Sequence, residues 1–179
     1  GGVISAGISE NSDTAAVLGH GGQSNQESWG KQGQIRAAAG CKVLALDFRG
    51  YGKSRGPGDS DPMNAPLHLD VLAAVRYLRE NGAESVSVVG GSMGGGAAAD
   101  ASIASQPGEL DRLVLIGASP NGPPEQLKSP ILFIMCRDYT PDAGHSLPQI
   151  RAKSAKAPNP HNLSTLSDPS PTPFPFPTP

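Results

Sequence analysis

The sequence predicts an α/β fold, a mainly parallel sheet with helices on both faces. Three observations predict it. Extended and helical stretches alternate along the chain, the pattern of strands joined by crossover helices. Two extended stretches, Val43-Leu44-Ala45-Leu46 and Ile131-Leu132-Phe133-Ile134-Met135, are apolar at every position, as strands covered on both faces should be. One helical stretch carries an apolar stripe at three- and four-residue steps.

Residues 1–12 offer at most one brief strand, at Val3-Ile4, and the first full strand is expected over 15–19. A helix over 29–39 and a strand over 42–47 follow. The helix over 65–81 places Leu67, Val71, Val75 and Leu78 on one face, with Asn64 as N-cap before Pro66 and Asn81-Gly82 as its stop. A strand over 86–90, a small-residue helix over 94–105, strands over 112–116 and 131–135 and a helix over 147–155 complete the alternation. No internal repeat is present.

Gly90-Gly91-Ser92-Met93-Gly94 joins the strand over 86–90 to the helix that follows. A serine on a tight strand-to-helix turn has its Oγ pushed into the open, and glycines on both sides let the backbone bend without Cβ clashes. Ser92 is the candidate nucleophile. A phosphate-cradling loop fits less well, because Ala99 stands where the dinucleotide fingerprint needs its third glycine and Gly94, Gly96 and Ala99 all lie inside the helix. The small residues from 94 to 99 suit close packing of that helix on the sheet.

Three motifs in chain order, Ala15-Ala16-Val17-Leu18-Gly19-His20-Gly21-Gly22, Asp47-Phe48-Arg49-Gly50-Tyr51-Gly52-Lys53-Ser54 and Gly90-Gly91-Ser92-Met93-Gly94, resemble the α/β-hydrolase superfamily over residues 14–157. The likeness is to its small lidless serine esterases, similar to dienelactone hydrolases. It implies hydrolysis of small carboxylic esters or thioesters, a small-molecule ester as the partner, and neither cofactor nor metal. It also implies an oxyanion hole formed by the N–H groups of Gly22 and Met93, with His20 ordering its turn rather than acting as a base. The turn from Asp47 to Ser54 then lines the pocket without reacting. The connection over 117–129 is too short for a lid domain, which predicts a shallow, open pocket.

The resemblance further requires an acid after the next-to-last strand and a histidine after the last. It puts Tyr139 at the position of the acid, with Asp138 one residue early and Asp142 close by. A phenol with a reference pKa of about 10 cannot replace a carboxylate that stabilises imidazolium, so Asp138 is the candidate acid. His145 follows that loop too closely, and His161 stands where a final strand should only be starting. Neither matches the family position, so the hydrolase is expected to be impaired by loss of the triad histidine. The alternative reading is a decayed, catalytically inactive hydrolase with a residual binding role or none.

From Pro169 onward proline occupies every second position, which forbids a central strand and a helix alike. Residues 158–179 are expected to form a disordered, Pro-rich tail behind an incomplete core of residues 1–157 that lacks the family's last strand and helix. The tail reads as a reading-frame departure and the chain as C-terminally truncated. The strand over 131–135 is then expected to be a bare sheet edge, prone to aggregation.

At 179 residues the chain suffices for one domain with a sizeable core. A net charge of −2 without a basic run argues against nucleic acid or an anionic membrane as partner. No apolar run approaches the roughly 20 residues of a membrane span and no signal-peptide pattern opens the chain, so a cytoplasmic protein is expected. Cys41 and Cys136, at or inside strand-like runs, are expected to be reduced and buried. The sequence leaves the oligomeric state open.

Overall fold

A computed structural model of the chain describes residues 3–5, 12–56, 61–136, 147–157 and 161–166. Its strands are β1 (Val3–Ser5), β2 (Thr14–Gly19), β3 (Lys42–Leu46), β4 (Ser85–Gly91), β5 (Arg112–Ile116), β6 (Ile131–Cys136) and β7 (His161–Leu166). The helices are α1 (Gly30–Ala38), α2 (His68–Glu80), α3 (Met93–Ala104) and α4 (Leu147–Ser154). The strands form one sheet in the order β1-β3-β2-β4-β5-β6-β7. β1 runs antiparallel to β3, and every other pair is parallel.

The expected strands and helices are found with their ends shifted by a few residues, and one shift has an instructive cause. Asn64 does not cap α2. It closes a short 3-10 turn, Pro62–Asn64, in which the Asp61 carboxylate accepts its N–H, and Ala65 is extended at φ −70° and ψ 153°. Pro66 disfavours helical geometry in the residue before it, so the helix starts only at His68. Its stop is as expected: Asn81 ends α2 and Gly82 takes a φ of 83°.

The two faces of the sheet are covered unequally. Val71, Leu72, Val75 and Leu78 of α2 and the alanines of α3 bury a large cluster with Val17, Leu44, Val86, Leu113, Leu115 and Phe133, which Ile150 of α4 joins. On the opposite face α1 and Trp29 cover a smaller cluster of Ala16, Leu18, Cys41, Val43 and Ala45. Beyond it Val114, Ile116, Leu132 and Ile134 are only half-buried. Cys41 is buried and free, while the side chain of Cys136 lies outside the described residues. No described helix is long and apolar enough to cross a membrane.

The expectation that β6 would be a bare edge is corrected. β7 pairs with it in parallel along its whole length, from Ile131 opposite His161 to Cys136 opposite Leu166. The alternating prolines start only at Pro169, and His161-Asn162-Leu163-Ser164-Thr165-Leu166 contains none. Every residue of that segment keeps the N–H that a ladder requires, so the last strand forms inside the stretch expected to be disordered. The rest of the tail, residues 167–179, lies outside the described residues.

Candidate active site

Because β2, β3 and β4 run parallel, the turns that follow them gather at one end of the sheet. Binding sites of open parallel sheets form at the carboxyl ends of the strands. Ser92 follows β4 directly, with φ 48° and ψ −118°, and is the positive-φ non-glycine among the described residues. Its N–H donates to the Ile116 carbonyl at 2.9 Å, and its own carbonyl accepts from Gly95 and Gly96 at 2.9 and 3.1 Å, opening the first turn of α3. The side chain is exposed. Its hydroxyl has no hydrogen-bond partner among the described residues. Met93 opens α3, where a first-turn N–H lacks an intrahelical acceptor.

The turn after β2 lies against this serine. A Cβ on Gly21 would stand 3.6 Å from Ser92 Cβ, and the Gly94 N–H donates to the His20 carbonyl at 3.1 Å. Gly22, the next residue, is half-buried in the same turn. His20 is wholly buried. Its Nδ1 donates to the Gly21 carbonyl at 2.8 Å, while Nε2 accepts the Phe48 N–H at 3.2 Å. Those two partners fix the neutral tautomer and leave neither nitrogen free to serve as a base. The ring meets Phe48 and Tyr51 edge-on, with centroids 5.1 and 5.2 Å away.

Burial holds His20 below the ordinary histidine value of 6.5, against smaller upward pulls from the Gly21 carbonyl and the Asp47 charge. The unfolded chain therefore binds the proton more readily. The stability this group contributes is full above pH 6.5 and falls as the pH drops toward the folded-state value. In chemical-denaturation series at pH 7.5, 6.5 and 5.5 the parent chain should lose stability stepwise, and His20→Asn should show a shallower slope.

Asp47, at the end of β3, is the second anchor of these turns. Its Oδ1 accepts the Gln26 N–H at 2.9 Å and its Oδ2 the Lys53 N–H at 2.9 Å, with the side chain nearly buried. Asp47→Ala removes both of these acceptors and should cost about 2–3 kcal/mol in urea unfolding. The next charged pair, Arg49 with Asp70, ties the same loop to α2: Nη2 reaches Oδ1 at 2.6 Å, and the Arg49 backbone N–H reaches Oδ2 at 3.1 Å. These contacts hold the turn in place.

Asp138, Tyr139, Asp142 and His145 all lie outside the described residues. His161 is placed by the sheet register. Val88, Leu113, Ile131 and His161 form one cross-strand row. Ser92 is four residues beyond that row, about 13 Å along the strands, and β7 is three strands away, about 14 Å across. The backbone of His161 is thus far from that of Ser92.

Two neighbours of the site carried no sequence signal. Asp100 of α3 accepts the N–H groups of Asn121 and Gly122, each at 3.1 Å, and Asn121 Nδ2 at 2.8 Å, fastening the loop after β5. That loop holds a single short 3-10 turn, Pro124–Gln126, and no lid domain. Trp29 lies under the serine turn, its Cζ2 3.8 Å from the position of a Cβ on Gly91.

Residues 17–140 match the family described as alpha/beta hydrolase fold. A non-heme chloroperoxidase of Streptomyces lividans is 32% identical over 104 residues, which span 58% of this chain and 36% of that protein. The match thus covers about a third of the relative's length. Among solved structures, Est1E of Butyrivibrio proteoclasticus, with ferulic acid bound, superposes with a TM-score of 0.72 at 15% identity, covering 93% of this chain and 85% of the other. A Pyrococcus furiosus esterase superposes at 0.71 with 18% identity, over 92% and 81%. At such identities the likeness is one of fold.

Proposed function

The chain belongs to the α/β hydrolase fold family, and from that premise we propose that it hydrolyses small carboxylic esters or thioesters with Ser92 as nucleophile. The observation that carries this reading is the backbone of Ser92, a non-glycine residue held at φ 48° with its side chain exposed at the carboxyl end of β4. Strain at a non-glycine residue costs about 1–3 kcal/mol and persists where surrounding structure enforces it, commonly at functional sites.

In this scheme Ser92 Oγ attacks the ester carbonyl carbon as a base takes its proton. The N–H groups of Gly22 and Met93 receive the oxyanion, and collapse expels the alcohol or thiol and leaves an acyl-serine. Water then repeats the sequence and releases the acid. Asp138 is the proposed acid; neither His145 nor His161 matches the family position of the base, so the activity is proposed to be impaired by the loss of the triad histidine. The open, lidless setting suits small or polymer-attached esters.

A second reading has two observations in its favour: His20 is engaged at both ring nitrogens, and the register places the backbone of His161 three strands from that of Ser92. On that reading the chain is a hydrolase scaffold without a working base. Hydrolysis of a short-chain p-nitrophenyl ester by the parent chain and by Ser92→Ala separates the two. Turnover lost in the variant supports the enzyme, and equal background in both supports the inert scaffold.

A further inference from the structure

Among the described residues one buried side-chain donor goes unpaired, the indole Nε1 of Trp29. Burying an N–H without an acceptor forfeits its hydration for nothing in return, so such a group calls for a specific reason. The surroundings of Trp29 supply one. The indole packs on the α1 face of the sheet with Val89, and strand alternation aims position 91 to the same face. A Cβ at Gly91 would meet only Trp29 Cζ2 among the described residues within 4 Å. Glycine there is imposed neither by a positive φ nor by crowding, unlike Gly94 two positions beyond Ser92, whose Cβ would meet backbone atoms of Gly19 and His20. What glycine leaves at 91 is room for a small group beside Trp29 Cζ2, and the unpaired N–H, itself buried, is two bonds from that atom.

Resting on the ester-hydrolase reading, we propose that Trp29 is a specificity residue of this site. The acyl end of the ester enters the gap at Gly91, and the indole N–H donates to an oxygen acceptor on the acyl chain. Short alkoxyacyl or hydroxyacyl esters are thereby selected over alkyl esters of the same shape. The N–H is buried in the free chain, so the ring must tilt to admit the oxygen, next to a helix that buries only Gly33 of its nine residues.

Trp29 is the chain's single tryptophan, so its emission reports this contact without any turnover. The Ser92→Ala chain is titrated with ethyl methoxyacetate and with its isostere ethyl butyrate. Saturable emission changes are expected, with the methoxy ester bound roughly three- to tenfold more tightly, as one added hydrogen bond implies. Ligand-observed saturation-transfer NMR should show that preference lost in Ser92→Ala/Trp29→Phe, which keeps the aromatic bulk and drops the N–H. Gly91→Leu, which fills the gap, should abolish the emission change while circular dichroism stays unaltered. No emission response to either ester, equal affinities, or a preference that survives in the Phe variant overturns the proposal. Acceptor-dependent binding by a chain whose parent fails to hydrolyse esters would sink the enzyme reading alone.

Discussion

Ser92→Ala brings p-nitrophenyl ester turnover down to solution background, a loss on the order of 10⁶-fold in kcat where the rest of the machinery is competent. That ratio corresponds to about 8 kcal/mol of barrier. The stability of the chain should barely change. The hydroxyl makes no described hydrogen bond and the side chain is exposed, so its removal opens no cavity, and alanine meets the same backbone strain as serine. Ser92→Gly tests the strain itself, since glycine accepts a φ of 48° without a Cβ penalty. That variant should be equally inactive yet more stable than the parent, by about 1 kcal/mol or more in urea unfolding. A parent chain that turns over no ester to begin with assigns the fold to the inert-scaffold reading. A gain in stability on Ser92→Gly would then show that the strained turn persists without its chemistry.

Gly94→Val should be the most damaging single change to the fold, with a loss above about 3 kcal/mol or no folded protein at all. A Cβ at this position would stand 2.5 Å from the Gly19 carbonyl oxygen and 2.6 Å from that of His20. Those are backbone atoms of β2 and its turn, which cannot rotate aside as a side chain can. The same turn accepts the Gly94 N–H through the His20 carbonyl at 3.1 Å, so α3 cannot retreat without losing that bond. Gly30→Ala is the control. It lies in α1 with nothing within 4 Å of its Cβ, and alanine there should stabilise the chain by about 0.5–1 kcal/mol. Urea midpoints of the two variants check both signs. Equal tolerance at 94 and 30 would mean that α3 does not sit against β2 as described.

Much of the fold is legible in short windows. The continuous apolar runs at 43–46 and 131–135, the stripe of Leu67, Val71, Val75 and Leu78, and the small-residue run from Gly94 announce buried strands, an amphipathic helix and a close-packed one. Those patterns are periodicities of neighbouring residues, which local sterics and burial enforce. Two local readings erred where a second local rule competed. Asn64 has a capping side chain, but Pro66 bars the helix from Ala65. The proline tail suggested disorder from 158 onward, yet the proline-free segment at 161–166 extends the sheet.

The sequence by itself determined the α/β class, the order of the elements and the sharp turn that presents Ser92, because each depends on residues within a few positions of one another. Tertiary structure alone decided which strand lies beside β6, that His20 is locked between Gly21 and Phe48, that the backbone of His161 sits four residues below Ser92 along the strands and three strands away, and that Trp29 faces Gly91 across 62 positions of chain. Strand register and the meeting of distant turns are set by the packing of the whole sheet, and no window along the chain contains both partners.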